Sequence, residues 1–144
     1  MVVCLQLAYA NRKPYVVRGI LRVTCVNNLP PLVRGDTVPI EINITDVNGT
    51  PVDITGDLIF FTLKTDRTQS DAQAALTLKF TVPNGPYAVA GNGVITLTST
   101  NTAALAAGKY YYDIQWVQAG TPPIVKTIFM GTVAVLLDST IAVA

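Results

Sequence analysis

Leu105-Ala106-Ala107-Gly108-Lys109-Tyr110-Tyr111-Tyr112-Asp113-Ile114-Gln115-Trp116 reads as the end of a corner followed by a strand. In an extended chain successive side chains point to opposite faces. Tyr110, Tyr112, Ile114 and Trp116 therefore share one face, and Tyr111, Asp113 and Gln115 share the other. The spacing Leu105-x-x-Gly108-x-Tyr110 sharpens this reading. In Greek-key sandwiches a tyrosine just inside a late strand hydrogen-bonds back over the preceding corner. Tyr110 is placed to do so, with Leu105 plugging the end of the core.

Working outward, the same period of two recurs. Ile40, Ile42 and Ile44 alternate with Glu41, Asn43 and Thr45. Asp46-Val47-Asn48-Gly49 then supplies a turn, because Asn-Gly readily takes positive φ. Ile59, Phe61 and Leu63 mark a second strand. Leu76, Leu78, Phe80 and Val82 mark a third, which Asn84-Gly85-Pro86 breaks. Gly91-Asn92-Gly93 reads as a hairpin signal opening the strand Val94 to Thr98. One helical turn is predicted around Thr100 to Ala106, capped by Thr100 or Asn101 and stopped at Gly108. Gly120-Thr121-Pro122-Pro123 turns the chain into a last extended stretch, Ile124 to Leu137, with Gly131 predicted to mark a bulge or a switch of sheets. Short strands with turns at this spacing predict an all-β fold, an immunoglobulin-like antiparallel β-sandwich of six to seven strands with an extended N-terminal arm. The predicted core includes Ile42, Ile44, Phe61, Leu78, Leu97, Tyr112, Ile114 and Trp116.

The chain has 144 residues, enough for one core. Only 13% of them are charged, about half the usual share of soluble domains, which suits a protein packed against neighbours. Charge is also unevenly placed. Residues 1–34 carry Arg12, Lys13, Arg18, Arg22 and Arg34 with no acid, and the remainder is net acidic. The division predicted is a basic arm with a Pro-containing linker over 1–34, a sandwich over 35–138, and a short apolar tail over 139–144. Within the arm, Tyr15 to Val26 is strand-capable, and Asn27-Asn28-Leu29-Pro30-Pro31 reads as a stiff leash. Such a strand can fold back as an edge or add to a neighbour's sheet. The five basic residues are predicted to dock on a sister copy or an acidic protein surface rather than on nucleic acid, being interleaved with Val, Ile and Leu.

Chemistry is sparse. The chain has no histidine, which removes the usual general base and metal ligand and rules out Ser-His-Asp or Cys-His sites within it. Asp53 and Asp57 share a loop and read as turn formers rather than a glycosidase pair. Asp46-x-Asn48 with Asp53 lacks the ligand ladder of a calcium loop. Arg34-Gly35-Asp36 is too short to carry an integrin reading, and the sequon Asn43-Ile44-Thr45 lies mid-strand. The spacing of Cys4 and Cys25 allows a disulfide, but two thiols make no disulfide framework, and the reading preferred is two buried reduced thiols. The opening MVVCLQLAYA lacks the basic region of a signal peptide. Every apolar run is interrupted well short of the ~20 residues that cross a bilayer. The expectation is therefore a non-enzymatic protein with no cofactor or metal and neither membrane nor nucleic-acid binding.

Three groups of residues carry a resemblance. The first is Arg34-Gly35-Asp36-Thr37, Thr45-Asp46-x-Asn48-Gly49-x-Pro51-Val52-Asp53-Ile54-Thr55-Gly56 and Phe60/Phe61-x-Leu63-Lys64. The second is Gly93-Val94-Ile95-Thr96-Leu97 with Leu105-x-x-Gly108-x-Tyr110-Tyr111-Tyr112-Asp113-Ile114-Gln115. The third is Lys126-Thr127-Ile128-x-x-Gly131-Thr132-Val133-x-Val135. Together, over about 34–138, they resemble small structural proteins of tailed bacteriophages, in particular the N-terminal immunoglobulin-like domain of upper baseplate proteins. No stalk or receptor-binding module follows in this sequence, which is more similar to a head decoration, or cement, protein. The resemblance implies a virion protein that binds the major capsid protein or other virion proteins, and low charge with apolar termini adds the expectation of a homo-oligomer on the particle. A tail or baseplate adaptor is the alternative within the class. Outside it stands a carbohydrate-binding module, whose exposed aromatics Tyr110, Tyr112 and Trp116 would have to supply; their alternation puts them in the core instead.

Overall fold

The computed structural model describes residues 29–138 in full and the backbone of residues 2–7. Eight strands run in chain order: β1 (Val2–Leu7), β2 (Leu32–Val33), β3 (Val38–Thr45), β4 (Leu58–Lys64), β5 (Leu76–Thr81), β6 (Asn92–Leu97), β7 (Gly108–Gln118) and β8 (Ile124–Leu136). They form two sheets, β1-β3-β6 and β2-β8-β7-β4-β5. In immunoglobulin terms these are A-B-E facing G-F-C-C′, with the short β2 added beside G. The class is the predicted one: an all-β, immunoglobulin-like sandwich.

The alternation explains why these segments became strands. In β3 Ile40, Ile42 and Ile44 are buried while their neighbours are half-exposed. In β7 Tyr110, Tyr112, Ile114 and Trp116 are all buried, and Phe61 stacks on Tyr112 with ring centroids 6.4 Å apart. Seven of the eight residues predicted for the core are fully buried. Leu78 is half-buried, because it sits on β5, an edge strand.

Several features differ from the sequence reading. The sandwich begins upstream of residue 35, since Leu29 and Leu32 are core residues and β2 pairs with β8. That pairing is parallel, so the five-stranded sheet is mixed rather than wholly antiparallel. β1 pairs antiparallel with β3, Val2 opposite Thr45 and Leu7 opposite Ile40, so the first residues of the arm close back on their own domain. The stretch Tyr15 to Val26 lies outside the described residues. β5 and β6 do not form a hairpin; they belong to different sheets, and the chain crosses between them through α1 (Pro86–Val89), an unpredicted turn of helix with a proline at its start. The predicted helical turn is α2 (Ser99–Ala103), one residue earlier than expected, because Thr98 rather than Thr100 or Asn101 is the cap. Asn101 N–H donates to Thr98 Oγ1 (3.2 Å), and the Asn101 side chain accepts from Thr98 N–H (2.9 Å). Gly131 lies in regular register opposite Tyr112. The bulge falls at Ile128, between the pairs Ile114–Phe129 and Gln115–Thr127.

Candidate interaction surface

Tyr110 is the third residue of β7, and its hydroxyl donates to the Ala106 carbonyl (2.9 Å) four residues upstream. Leu105 is buried beneath it, and Gly108 begins β7. This is the hydrogen-bond pattern of a tyrosine corner. We expect Tyr110→Phe to lower stability by about 0.5–1.5 kcal/mol, the net value of one hydrogen bond. A shifted urea midpoint at unchanged slope would report it; no shift would mean that the corner holds without the hydroxyl.

The loop Arg34-Gly35-Asp36 is tied to α2. Thr102, fully buried, donates from its hydroxyl to the Asp36 carbonyl (2.7 Å) and accepts from Gly35 N–H (3.1 Å). Arg34 Nη2 donates to the Ala103 carbonyl (2.7 Å). Of the five basic residues assigned to docking, Arg34 thus engages its own sandwich. Arg12, Lys13, Arg18 and Arg22 lie outside the described residues.

The loop aspartates shape turns. Asp46 Oδ1 accepts from Thr50 N–H (2.9 Å) and Asn48 N–H (2.8 Å), which lowers its pKa. Asp53 Oδ1 accepts from Thr55 N–H (2.9 Å), and its hydrogen bonds with Thr55 lower its pKa likewise. Asp57 has a different role that the sequence reading missed. It is buried; Oδ2 accepts from Trp116 Nε1 (2.8 Å) and Oδ1 from Ala119 N–H (2.8 Å). The carboxylate thereby joins the start of β4 to the end of β7. Nothing local marks this, because Trp116 is 59 residues away along the chain.

On the outer face of β4, β7 and β8 the side chains that alternate away from the core build a small cleft of about 140 Å³, lined by Thr62, Lys64, Arg67, Tyr111, Asp113 and Met130 among others. Arg67 lies over the Tyr111 ring at 4.9 Å and Lys109 over the same ring at 5.4 Å. Lys64 Nζ bonds Asp71 Oδ1 at 2.7 Å. Asp113 Oδ1 is buried with no hydrogen-bond partner. Desolvation raises the Asp113 pKa, against the opposing charge of Lys64 and a hydrogen bond with Thr62. The cleft is wide enough for a few waters or the head of one side chain. It offers a carboxylate acceptor beside a guanidinium and an aromatic ring, which suits a charged group of a partner. The alternation of β7 had placed Tyr111 and Asp113 outward; their meeting with Lys64 and Arg67 needed the sheet.

A raised carboxylate pKa means that the folded state holds the proton more tightly than the unfolded chain. Stability from this group is therefore greatest below the ordinary aspartate range and declines as pH rises through the raised folded value. Asp113→Asn is expected to raise the melting temperature modestly at neutral pH, with the gain vanishing at acid pH. A gain independent of pH would remove desolvation as the cause.

Exposed apolar side chains collect along β8 and just beyond it: Ile124, Val125, Met130 (67% exposed), Leu136 and Leu137 (66%). A second group, Tyr87, Val89 and Val94, lies at α1 and β6. No helix among the described residues is long and apolar enough to cross a membrane.

What the fold shows is an immunoglobulin-like sandwich domain with exposed apolar side chains along its last strand. No protein-family model matches the chain, and no curated protein matches it.

Proposed function

We propose that this protein is a non-enzymatic structural protein of a bacteriophage virion, a capsid decoration protein that binds and stabilises the major capsid shell. The observation that carries the reading is the row of exposed apolar side chains on β8, in a chain with few charges to keep such a surface solvated. The motif resemblance over 34–138 supports the particle as its setting. The sandwich supplies a rigid body, and the outward apolar side chains of β8, Val125, Met130 and Leu136, meet the shell. In this reading the protein carries no cofactor and localises to the virion.

Copy number in purified particles tests the proposal. Quantified gel bands are expected to give hundreds of copies. A few dozen or fewer would favour the second reading, a tail or baseplate adaptor, and absence from virions would overturn both. Val125→Asp with Met130→Asp is expected to weaken particle binding at least tenfold while leaving the melting temperature within about 2 °C, since both side chains are exposed. Undiminished binding would remove β8 from the interface.

A further inference from the structure

Three asparagines in the chain are followed by glycine: Asn48, Asn84 and Asn92. Such a pair can react with itself. The glycine nitrogen attacks the side-chain amide carbon of the asparagine, and the new C–N bond closes a five-membered imide as ammonia leaves. Water then opens the ring at either carbonyl, leaving aspartate or isoaspartate. The balance is one water consumed and one ammonia released, with no oxidant or metal needed. Glycine favours the attack because it has no Cβ to crowd the nitrogen. The attacking N–H must also be free of other partners, and the backbone must turn so that the side chain folds over it.

The fold treats the three pairs differently. Asn48 and Gly49 are exposed, but Gly49 N–H donates to the Asp46 carbonyl (3.1 Å). Asp46 Oδ1 holds the same turn through Asn48 N–H and Thr50 N–H. Asn92 and Gly93 open β6. Gly93 is buried opposite Ile42, and Asn92 Oδ1 accepts from Asn43 Nδ2 (2.7 Å). Ring closure there would have to break the strand. Asn84 is exposed and lies on the crossing between β5 and α1. Neither its side chain nor Gly85 N–H makes a hydrogen bond among the described residues.

We infer that Asn84 is a site of spontaneous deamidation, converting to aspartate and isoaspartate in the folded protein while the fold holds back Asn48 and Asn92. The place gives the change a consequence. Three strands face five, and this leaves a flank of β5 uncovered, where the inward Leu76, Leu78 and Phe80 stay half-exposed. That flank meets α1 and β6 at an apolar groove of about 440 Å³, and Asn84 and Gly85 line it beside Phe80, Tyr87 and Val94. Conversion sets a carboxylate at this groove. Isoaspartate also adds one carbon to the backbone just ahead of Pro86, where α1 begins. One new negative charge takes the formal net charge of the chain from +1 to zero at pH 7. Self-repulsion is then at its weakest, which favours association of converted chains.

The reaction is a property of the chain alone and stands apart from the virion reading. Purified full-length protein, held for weeks in mildly alkaline buffer, tests it by tandem mass spectrometry of its peptides. Position 84 is expected to convert about five- to tenfold faster than position 48, the factor for freeing one backbone hydrogen bond before attack. It should also outpace position 92. Isoelectric focusing should show a more acidic band growing in step. Asn84→Gln should remove that band, since glutamine must close a six-membered ring and does so far more slowly. In urea, where no pair is protected, the three rates should draw together. Conversion at 48 or 92 that matches or exceeds 84 in the native protein overturns the inference. So do an unconverted Asn84 and an acidic band undiminished in Asn84→Gln. The same spread of rates in urea overturns it equally, because the ranking would then belong to the local sequence and not to the fold.

Discussion

Trp116→Ala is expected to cost about 3–5 kcal/mol of stability, the range for removing a large aromatic side chain from a packed core. Trp116 is 2% exposed and pairs in register with Ile59 on one side and Lys126 on the other, with Lys126 Nζ lying 5.2 Å from its ring. Truncation opens a cavity between the sheets and also strips the buried Asp57 carboxylate of its indole donor. A hydrogen bond to a charged group is worth about 1.5–3 kcal/mol. Trp116→Phe, which restores most of the volume but not the donor, should therefore recover only part of the loss. Asp57→Ala, which also loses the bond from Ala119 N–H, is expected to be at least as damaging as Trp116→Phe and less than additive with it, because the two share the indole–carboxylate bond. Urea melts of the single and double variants measure this. A loss below 1 kcal/mol for Trp116→Ala would mean that the register of β7 is wrong.

The second large effect is expected at Gly91, which lies at the crossing from one sheet to the other. Its φ is +75°, and a Cβ there would run into the Ile44 carbonyl oxygen, which accepts from Val52 N–H (3.0 Å). Gly91 also offers its own carbonyl to Ile44 N–H (2.8 Å). Gly91→Ala thus combines left-handed strain of about 1 kcal/mol with displacement of two buried backbone hydrogen bonds at about 1 kcal/mol each. The expected loss is about 3 kcal/mol or more, from a single methyl group. Gly49→Ala is the control: its φ is +84° but nothing lies within 4 Å of the added Cβ, so only the strain should register. Equal losses at the two positions would show that the backbone at Gly91 shifts freely.

How much of this could be read in advance depends on the range of the cause. The alternation in Tyr110 to Trp116, Ile40 to Ile44 and Ile59 to Leu63 follows from the pleat of one strand, so the chain itself states which residues face inward. The corner at Tyr110 is equally legible, since donor and acceptor are four residues apart. The turns at Asp46 and Asp53 close within a few residues and carry their own signal in the same way.

The remaining features are long-range. Gly91-Asn92-Gly93 has the composition of a hairpin turn, yet β6 pairs with β3 rather than β5, because α1, whose Ala88 carbonyl accepts from Ile54 N–H (3.1 Å), carries the chain across to the other sheet. Leu29 and Leu32 flank two prolines and read as a linker, but the gap at the edge of the core draws both inside. The bulge at Ile128, the pairing of Asp57 with Trp116, the outer cleft at Asp113 and the uncovered flank of β5 all arise from strands distant in sequence. By itself the sequence determined the class of fold, the inward faces of the strands and the local turns, since each is set by neighbours along the chain. The tertiary structure decided which strands share a sheet, which polar groups are buried and where apolar surface is left open. Those outcomes come from competition among distant segments to cover one core, and no local pattern records the result.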